Sequence, residues 1–273
     1  MSIDESTIDA VVTAVKQSRK YRDTSEETIR QLAAEAVQEH KKVKPAEKAV
    51  RRRLHSIMAP YLGDPDYAAA GQLLTDVFAK GDPAAIRAAC RDLMYTHLST
   101  RERLPILDTF YRDIFAVTGP PRRLLDIACG LNPLAFPWMD LPAAETAFIA
   151  YDIHEPRVDF LNRYFALQGL PELAYVKDVA VQAPTESGDV ALFLKEMPRF
   201  ERNYPGHGRH LLEAIDTRWL VVSFPTISTH GGRNLTNRYR DFFHEIIDGA
   251  GWAVTELLFE SELVFCADKQ ANG

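Results

Sequence analysis

The chain has 273 residues, of which 46% are hydrophobic and 26% are charged, and these are the proportions of an ordinary folded protein. The length favours one catalytic-sized domain with an appendage, or two modest domains, and the composition excludes a largely disordered or collagen-like chain. No run of about 18 apolar residues indicates a membrane span, and the polar, acidic first nine residues lack a secretory signal. Three widely spaced cysteines, Cys90, Cys129 and Cys266, are typical of neither a disulfide framework nor a metal cluster. We therefore expect a reducing, cytoplasmic environment.

The net charge of −6 conceals an asymmetry between the two ends of the chain. Residues 1–55 hold 12 Lys and Arg against 9 Asp and Glu, so the remainder carries a charge of −9. Two clusters, at residues 16–22 and 41–53, concentrate these cations, and they predict a phosphate-binding face, although a solvated helix surface has the same pattern. The candidate phosphate-contacting residues are Lys16, Arg19, Lys20, Arg22, Lys41, Lys42, Arg51, Arg52 and Arg53.

The first 117 residues have the apolar spacing of helices. Thr24 to Glu27 form a capping-box pattern that opens a second helix, after a first helix around Ile8 to Val15. Further helices are predicted over 45–58, near 66–80 and 83–97, and from about Arg103, with Pro105 in the first turn.

After Gly119-Pro120-Pro121 the pattern changes to short apolar runs that alternate with amphipathic stretches, which predicts a mostly parallel sheet. Two strand-like runs at the end of the chain predict an antiparallel hairpin. We therefore expect a Rossmann-like α/β fold with the sheet of class I methyltransferases over 118–273, preceded by a helical N-terminal domain over 1–117. The predicted strands are 123–128, 147–153, 174–177, 190–195, 220–224, 252–260 and 263–267, and the predicted helices are 155–169, 198–216 and 236–251.

The turn after the first predicted strand contains only Gly130 where a dinucleotide site has three glycines. This turn suits a nucleoside ligand without phosphates, such as S-adenosylmethionine. Asp152 ends the second strand, 22 residues after Gly130, where an acid can accept hydrogen bonds from ribose hydroxyls, and Asp178 follows the third strand near the expected adenine. Strand-end acids also cap helices, but three acids at successive strands, Asp126, Asp152 and Asp178, favour a cofactor site. We expect Asp126 to order the turn.

Several motifs together resemble the aminoglycoside-resistance 16S rRNA methyltransferases, which modify N7 of guanine 1405. The resemblance runs in order from about residue 8 to the end of the chain. It rests on HLSTRERL at 97–104, LDIACGLNPL at 125–134, SFPT at 223–226, SRKY at 18–21, RLH at 53–55 and SELV at 261–264.

The resemblance implies roles for individual residues. Arg103 would bind the methionine carboxylate of the cofactor, Lys195 and Glu201 would lie beside the target base, and Arg233 would recognise rRNA or position the base. The implied cofactor contacts are Tyr61, His97, Leu98, Ser99, Arg103, Ala128, Gly130, Asp152, Asp178, Val179, Leu194 and Asn203.

Some of these residues have structural alternatives. His97 also suits a hydrogen-bonded core histidine and Lys195 a surface charge. Ser99 and Glu102 form an S-x-x-E pattern, which we interpret as a helix cap. Cys129 is interpreted as a small buried residue beside the turn. The chain departs from the family pattern after Thr226, where Ile227 replaces a basic residue.

The sequence therefore predicts an S-adenosylmethionine-dependent methyltransferase that modifies 16S rRNA in the 30S subunit and confers aminoglycoside resistance. The alternatives are a methyltransferase of the same fold that acts on another RNA position or on a small molecule, and a catalytically idle 30S-binding protein. We expect a monomer whose partner is the 30S particle rather than DNA or a membrane.

Overall fold

A computed structural model describes residues 5–58, 64–170, 173–228 and 232–270. Its N-terminal unit contains the helices α1 (Glu5–Lys16), α2 (Glu26–Glu39) and α3 (Val43–Met58). Their apolar faces, which include Val11, Ile29 and Leu54, form a hydrophobic cluster of their own. The cap of α2 is Ser25, one residue beyond the predicted Thr24, because the Ser25 Oγ accepts the N–H of Thr28 whereas the Thr24 hydroxyl donates to Sδ of Met58.

The next helices pack on the sheet rather than on the N-terminal unit. Leu74 and Phe110 belong to the same buried cluster as the strand residues Leu124 and Phe148. Packing therefore groups residues 64–118 with the sheet, and a domain boundary at 117 remains a prediction. These helices are α4 (Tyr67–Lys80), α5 (Pro83–Thr96), α6 (Leu98–Arg103) and α7 (Leu107–Thr118).

The helix predicted to begin at Arg103 begins later. A 3-10 turn at Leu104–Ile106 contains Pro105 and separates α6 from α7. The ring of Pro105 lacks the N–H that a continuous helix would use, so the α-helical hydrogen-bond pattern is interrupted here.

Seven strands form one sheet in the order β3-β2-β1-β4-β5-β7-β6 among the described residues. The first five strands are parallel, and β7 is antiparallel to both β5 and β6. The class I methyltransferase sheet with a terminal hairpin is thus confirmed. The strands are β1 (Arg123–Ile127), β2 (Ala147–Asp152), β3 (Ala174–Val176), β4 (Gly188–Leu194), β5 (Thr217–Pro225), β6 (Ala253–Leu258) and β7 (Glu262–Asp268).

The connections on the two faces of the sheet differ in part from prediction. The prediction of one helix over 198–216 is wrong, because Pro205 and Gly206 separate α9 (Met197–Asn203) from α10 (Gly208–Ala214). α8 (Glu155–Gln168) follows β2, and α11 (Thr236–Ile246) ends earlier than expected. In the described part of the chain, no helix is long and apolar enough to cross a membrane.

The N-terminal unit docks at the carboxyl end of β2 and the start of α8. The backbone N–H of Ser25 donates to the carbonyl of Ile153 at 2.7 Å, and that of Glu155 donates to Asp23 at 2.9 Å. Lys16 forms an ion pair with the Glu155 carboxylate at 2.9 Å. The unit therefore lies beside the strand end where the sequence places the ribose-binding acid.

Candidate cofactor site

A pocket opens where the strand order reverses, between β1 and β4, which is the position of ligand sites in open α/β sheets. The N-terminal unit contributes Lys20, Ile57 and Met58 to its wall, so the pocket lies between that unit and the sheet. Phe193 and Phe200 add apolar surface, and Asp152 and Asp178 add the carboxylates of the strand ends. The pocket thus combines apolar surface with polar and charged groups, a combination that suits a nucleoside.

The turn after β1 brings the backbone unusually close to a histidine. Gly130 has a φ of +55°, and a Cβ added to it would lie 2.8 Å from Cε1 of His97. Only glycine combines this conformation with this contact at no steric cost. The N–H of Gly130 donates to Oδ2 of Asp152 at 3.1 Å, which fixes the turn against the end of β2.

Asp152 is nearly inaccessible to solvent and accepts several hydrogen bonds. Its Oδ1 accepts the N–H of His154 at 2.9 Å, and its Oδ2 accepts a hydrogen bond from Arg157 at 2.8 Å. Burial alone would raise the pKa of Asp152, but the Arg157 guanidinium and the donated hydrogen bonds outweigh burial and lower it. Asp152 is therefore an ionised acceptor in the pocket at neutral pH.

His97 and Ser99 line the pocket from the junction of α5 and α6. His97 is 2% exposed, and its Nδ1 lies 3.1 Å from Oγ of Ser99. Burial, aided by the charge of Arg157, lowers the pKa of His97 to about 4. His97 is thus neutral at physiological pH and offers a hydrogen-bonding ring without a charge.

Asp178 lies two residues beyond β3, beside Val179. Its Oδ1 accepts the N–H of Ala180 at 2.9 Å, and burial raises its pKa. The side chain therefore lies at the strand end that the sequence assigned to the adenine.

The structure brings most of the predicted cofactor residues to one pocket. Leu98 and Arg103 do not line it, and Tyr61 falls outside the described residues. The predicted residues that line the pocket are His97, Ser99, Ala128, Gly130, Asp152, Asp178, Val179, Leu194 and Asn203.

Arg103 lies in a buried network behind the pocket. Its side chain is 1% exposed, and its Nη2 donates to Oε1 of the fully buried Glu262 at 2.8 Å. Its Nη1 donates to Oδ1 of Asn132 at 2.7 Å, and the Asn132 amide donates to Asp126 at 2.9 Å. The network thus ties α6, the turn after β1 and β7 together, and it confirms that Asp126 orders the turn.

Lys195 extends this network. Its side chain is 5% exposed, with Nζ 3.0 Å from Oε2 of Glu102 and 3.4 Å from Oε2 of Glu262. It is therefore not a surface charge, and it lies between Leu194 and Glu196, which both line the pocket. The interpretation of Glu102 as a cap with Ser99 is wrong, because α6 has no side-chain cap and Glu102 pairs with Lys195 instead.

The two other residues assigned to the target base do not line the pocket. The Glu201 carboxylate accepts the N–H groups of Gly206 and Gly208 at 2.7 and 2.5 Å, which holds the turn between α9 and α10. Arg233 is exposed, and its backbone pairs with Ser228 across the loop after β5. Their roles towards the base remain predictions.

The basic clusters divide into inward and outward residues. Arg51 pairs with Glu47 and Ala14, and Arg53 contacts Glu35, Asn203 and the ring of Tyr204, so both stabilise the N-terminal unit or its docking. The outward residues of α3 are Lys44, Lys48 and Arg52, which we call the α3 basic face. Arg19, Lys20, Arg22, Lys41 and Lys42 are also exposed, whereas Lys16 is partly buried by its ion pair with Glu155.

The α3 basic face leads towards the pocket. Lys44, Lys48 and Arg52 are spaced by four residues, so they share one side of the helix. His55 follows on this side, with Nδ1 only 2.9 Å from Nζ of Lys20, which lines the pocket. The outward cations therefore run from the surface of α3 to the pocket mouth.

Sequence reasoning missed the pocket residues that come from long-range packing. Ile57 and Met58 reach the pocket only because the N-terminal unit docks on β2 and α8. Asp64 and Arg157 are 93 residues apart and form a salt bridge at 2.7 Å. In the sequence, the contact between Arg157 and Asp152 is indicated by the position of Arg157 in the first turn of α8, five residues after Asp152.

The strand order and the nucleoside-like pocket at its reversal define a class I methyltransferase. A family model described as ribosomal RNA methyltransferase (FmrO) matches residues 17–266. The chain therefore belongs to the FmrO family of ribosomal RNA methyltransferases.

Curated relatives match almost end to end. A 16S rRNA (guanine(1405)-N(7))-methyltransferase of Frankia casuarinae is 37% identical over 96% of this chain and 93% of its own length. The protein of the same name from Micromonospora echinospora is 35% identical over 98% of this chain and 99% of its own. The similarity thus includes the helical N-terminal region as well as the sheet.

Solved structures give the same result. The 16S rRNA methyltransferase RmtF, in complex with S-adenosyl-L-homocysteine, matches with a TM-score of 0.81 and 31% identity over 98% of this chain and 99% of that chain. The 16S rRNA methylase RmtB matches with a TM-score of 0.79 and 29% identity over the same shares.

Proposed function

We propose that this protein transfers a methyl group from S-adenosylmethionine to N7 of guanine 1405 in 16S rRNA. The observation that carries the proposal is the pocket at the strand reversal, which the N-terminal unit and its basic face adjoin. The relatives that match over nearly their full length are named for this reaction, which supports the choice of substrate.

The residues present fit S-adenosylmethionine. Asp152 presents a buried, ionised acceptor for ribose hydroxyls, Asp178 and Val179 lie where an adenine fits, and Gly130 leaves room beneath His97. When bound, this cofactor supplies a methyl group on a positively charged sulfur. RmtF, of the same fold, is described in complex with the product S-adenosyl-L-homocysteine.

The protein contributes mainly position and electrostatics. N7 of guanine already carries a lone pair, so no residue has to remove a proton before the attack. Lys195, held between Glu102 and Glu262 beside the pocket, supplies a fixed positive charge, and Arg103 continues the same network towards the turn. We assign to these residues the orientation of the reacting groups rather than proton transfer.

The α3 basic face supports an RNA partner. The phosphates of a folded RNA attract clustered Lys and Arg, and the face leads to Lys20 at the pocket mouth. The target base has to leave its helix to reach the pocket, so contacts on neighbouring phosphates are needed to hold the backbone. Arg233, exposed on the loop after β5, adds a cation for base or backbone recognition.

The 30S subunit is the substrate form that we propose, with the enzyme acting as a monomer in the cytoplasm. In this proposal the N-terminal unit contacts phosphates of the folded particle while the target base enters the pocket. Methylation of guanine 1405 would confer aminoglycoside resistance, as the sequence resemblance implies.

Labelled S-adenosylmethionine incubated with 30S subunits, free 16S rRNA and small-molecule acceptors tests the proposal. We expect label in 16S rRNA from 30S subunits and little in the other acceptors. Label in a small molecule, or no label despite cofactor binding, would contradict it and favour one of the two alternatives given by the sequence.

A further inference from the structure

Arg157 joins the ribose end of the pocket to the region before α4. Its side chain is 8% exposed, and each of its nitrogens has an acceptor. Nη1 donates to Oδ2 of Asp152 at 2.8 Å, Nη2 to Oδ1 of Asp64 at 2.7 Å, and Nε to the hydroxyl of Tyr67 at 3.2 Å. The guanidinium is thus held by Asp152 at the end of β2, by Asp64 just before α4 and by Tyr67 at the start of α4.

The Asp152 carboxylate has little freedom in this arrangement. Oδ2 accepts from both Arg157 and the N–H of Gly130, so its two lone-pair directions are occupied. Among the residues that the structure describes, Oδ1 accepts only the N–H of His154, and it retains one direction for a further donor. Arg157 therefore leaves Oδ1 as the oxygen available to a ligand.

The same contact keeps the carboxylate charged. Asp152 is 5% exposed, and an unpaired carboxylate in such a site is costly. The positive charge of Arg157 compensates for this burial without the help of solvent. A charged acceptor binds hydroxyl donors more strongly than a neutral one does.

We propose that Arg157 is the positioning residue that sets the orientation and charge of Asp152, and thereby makes the pocket selective for a nucleoside with intact ribose hydroxyls. This inference rests on the proposed cofactor. Arg157 acts through Asp152, and the contacts with Asp64 and Tyr67 help to hold its guanidinium.

Calorimetry with two ligands tests the role of Arg157. The ligands are S-adenosyl-L-homocysteine and an analogue that lacks both ribose hydroxyls. We expect the protein to bind the parent ligand at least about ten-fold more tightly, the scale of a hydrogen bond to a charged group. Arg157→Gln should weaken binding of the parent and bring the ratio of the two affinities close to one.

Two further variants separate positioning from general stability. Arg157→Lys keeps the charge and should restore part of the preference for the hydroxyls. Arg163→Gln, an exposed arginine on the same helix, should change neither affinity. Equal weakening of both ligands in Arg157→Gln, with the affinity ratio preserved, would overturn the proposal.

A double variant keeps the test decisive if Arg157→Gln alone does not fold. In Asp152→Asn the carboxylate charge is absent, so adding Arg157→Gln should cost no further affinity for S-adenosyl-L-homocysteine. A further ten-fold loss in the double variant would show that Arg157 acts independently of Asp152, against the proposal. These experiments measure binding, so a failure of methyl transfer to 30S subunits would affect only the proposed function.

Discussion

Two single side chains at the strand ends differ in pKa, and we propose that they determine what the pocket binds. Asp152 accepts hydrogen bonds from three donors, and its pKa is lowered despite near-complete burial. The pKa of Asp178 is raised, because burial dominates there. The pocket is therefore negatively charged at the end of β2, where Asp152 lies, and the carboxyl of Asp178 after β3 is protonated more readily. This difference matches the hydroxyl donors of a ribose beside the less polar adenine.

Replacing Asp152 should measure its contribution directly. Asp152→Ala removes the acceptor for the ribose, so we expect cofactor affinity to fall by about 1–3 kcal/mol, the scale of hydrogen bonds to a charged group. Calorimetry with S-adenosylmethionine checks this loss, and circular dichroism shows whether the variant is folded. A folded variant with unchanged affinity would refute the assignment of Asp152.

The buried Asp126 makes stability depend on pH. Burial raises its pKa to about 7, although its hydrogen bond from Asn132 and the charge of Arg103 act in the opposite direction. A carboxyl with a raised pKa in the folded state stabilises the fold below its unfolded pKa, and this contribution is lost as the pH rises through about 7.

Asp126→Asn should remove this contribution while keeping an acceptor for Asn132. The melting temperature should drop more between pH 5.5 and pH 8.5 in the unmodified protein than in the variant. The reason is that each unit of difference between the folded and unfolded pKa corresponds to about 1.4 kcal/mol of stability. An identical change with pH in both proteins would show that Asp126 does not titrate in this range.

At the scale of elements, buried strands were predicted well because their signal is local. β1, β2 and β4 coincide with apolar runs that are bounded by Gly, Pro and acidic residues, and the predicted ends differ from the observed ends by at most two residues. Pro205 and Gly206 favour a break in the helix, but the helical pattern on both sides predicts one continuous helix. The cap of α2 lies one residue later than predicted because the Thr24 hydroxyl donates to Sδ of Met58 instead.

The site was predictable only where the chain itself brings residues together. Gly130, Asp152 and Asp178 follow successive strands of one sheet, so their convergence follows from topology. The pairing of Arg157 with Asp64, and that of Lys195 with Glu102, joins residues 93 positions apart, and no local pattern encodes such contacts. The inward direction of Arg51 and Arg53 likewise depends on how α3 packs.

The α3 basic face is the element on which 30S binding should depend. A triple variant with Lys44→Glu, Lys48→Glu and Arg52→Glu should bind 30S subunits more weakly and with less salt dependence. The slope of log affinity against log salt concentration should become shallower by about one for each phosphate that the variant no longer binds. Affinity for S-adenosylmethionine should be unchanged, because these residues do not line the pocket. Arg51 and Arg53 are unsuitable for this test, since they stabilise the N-terminal unit.

A matched control reverses three exposed cations elsewhere, Lys80, Arg122 and Arg163. This variant has the same change in net charge, so we expect it to retain most of its 30S affinity. Equal losses in the two triple variants would show that net charge, and not the α3 basic face, determines binding.

At the scale of the whole molecule, the pocket at the strand reversal has two kinds of wall among the described residues. The sheet contributes the strand ends and the turn at Gly130, and the N-terminal unit contributes Ile57 and Met58 together with the cations outside. In the proposed function, RNA bound by the unit and cofactor bound by the sheet would meet at this pocket. The similarity to the family includes the residues of both walls, since it spans nearly the whole chain.

Mapping the methylated nucleotide tests the central claim most directly. 30S subunits treated with the enzyme and S-adenosylmethionine are reduced with borohydride and cleaved with aniline, which breaks RNA at N7-methylguanosine, and primer extension then locates the break. We predict one new stop that marks cleavage at guanine 1405, depends on S-adenosylmethionine and is weaker with Asp152→Ala at limiting cofactor. Methylation at another nucleotide, or at another atom that leaves the chain uncleaved, would contradict the proposed reaction.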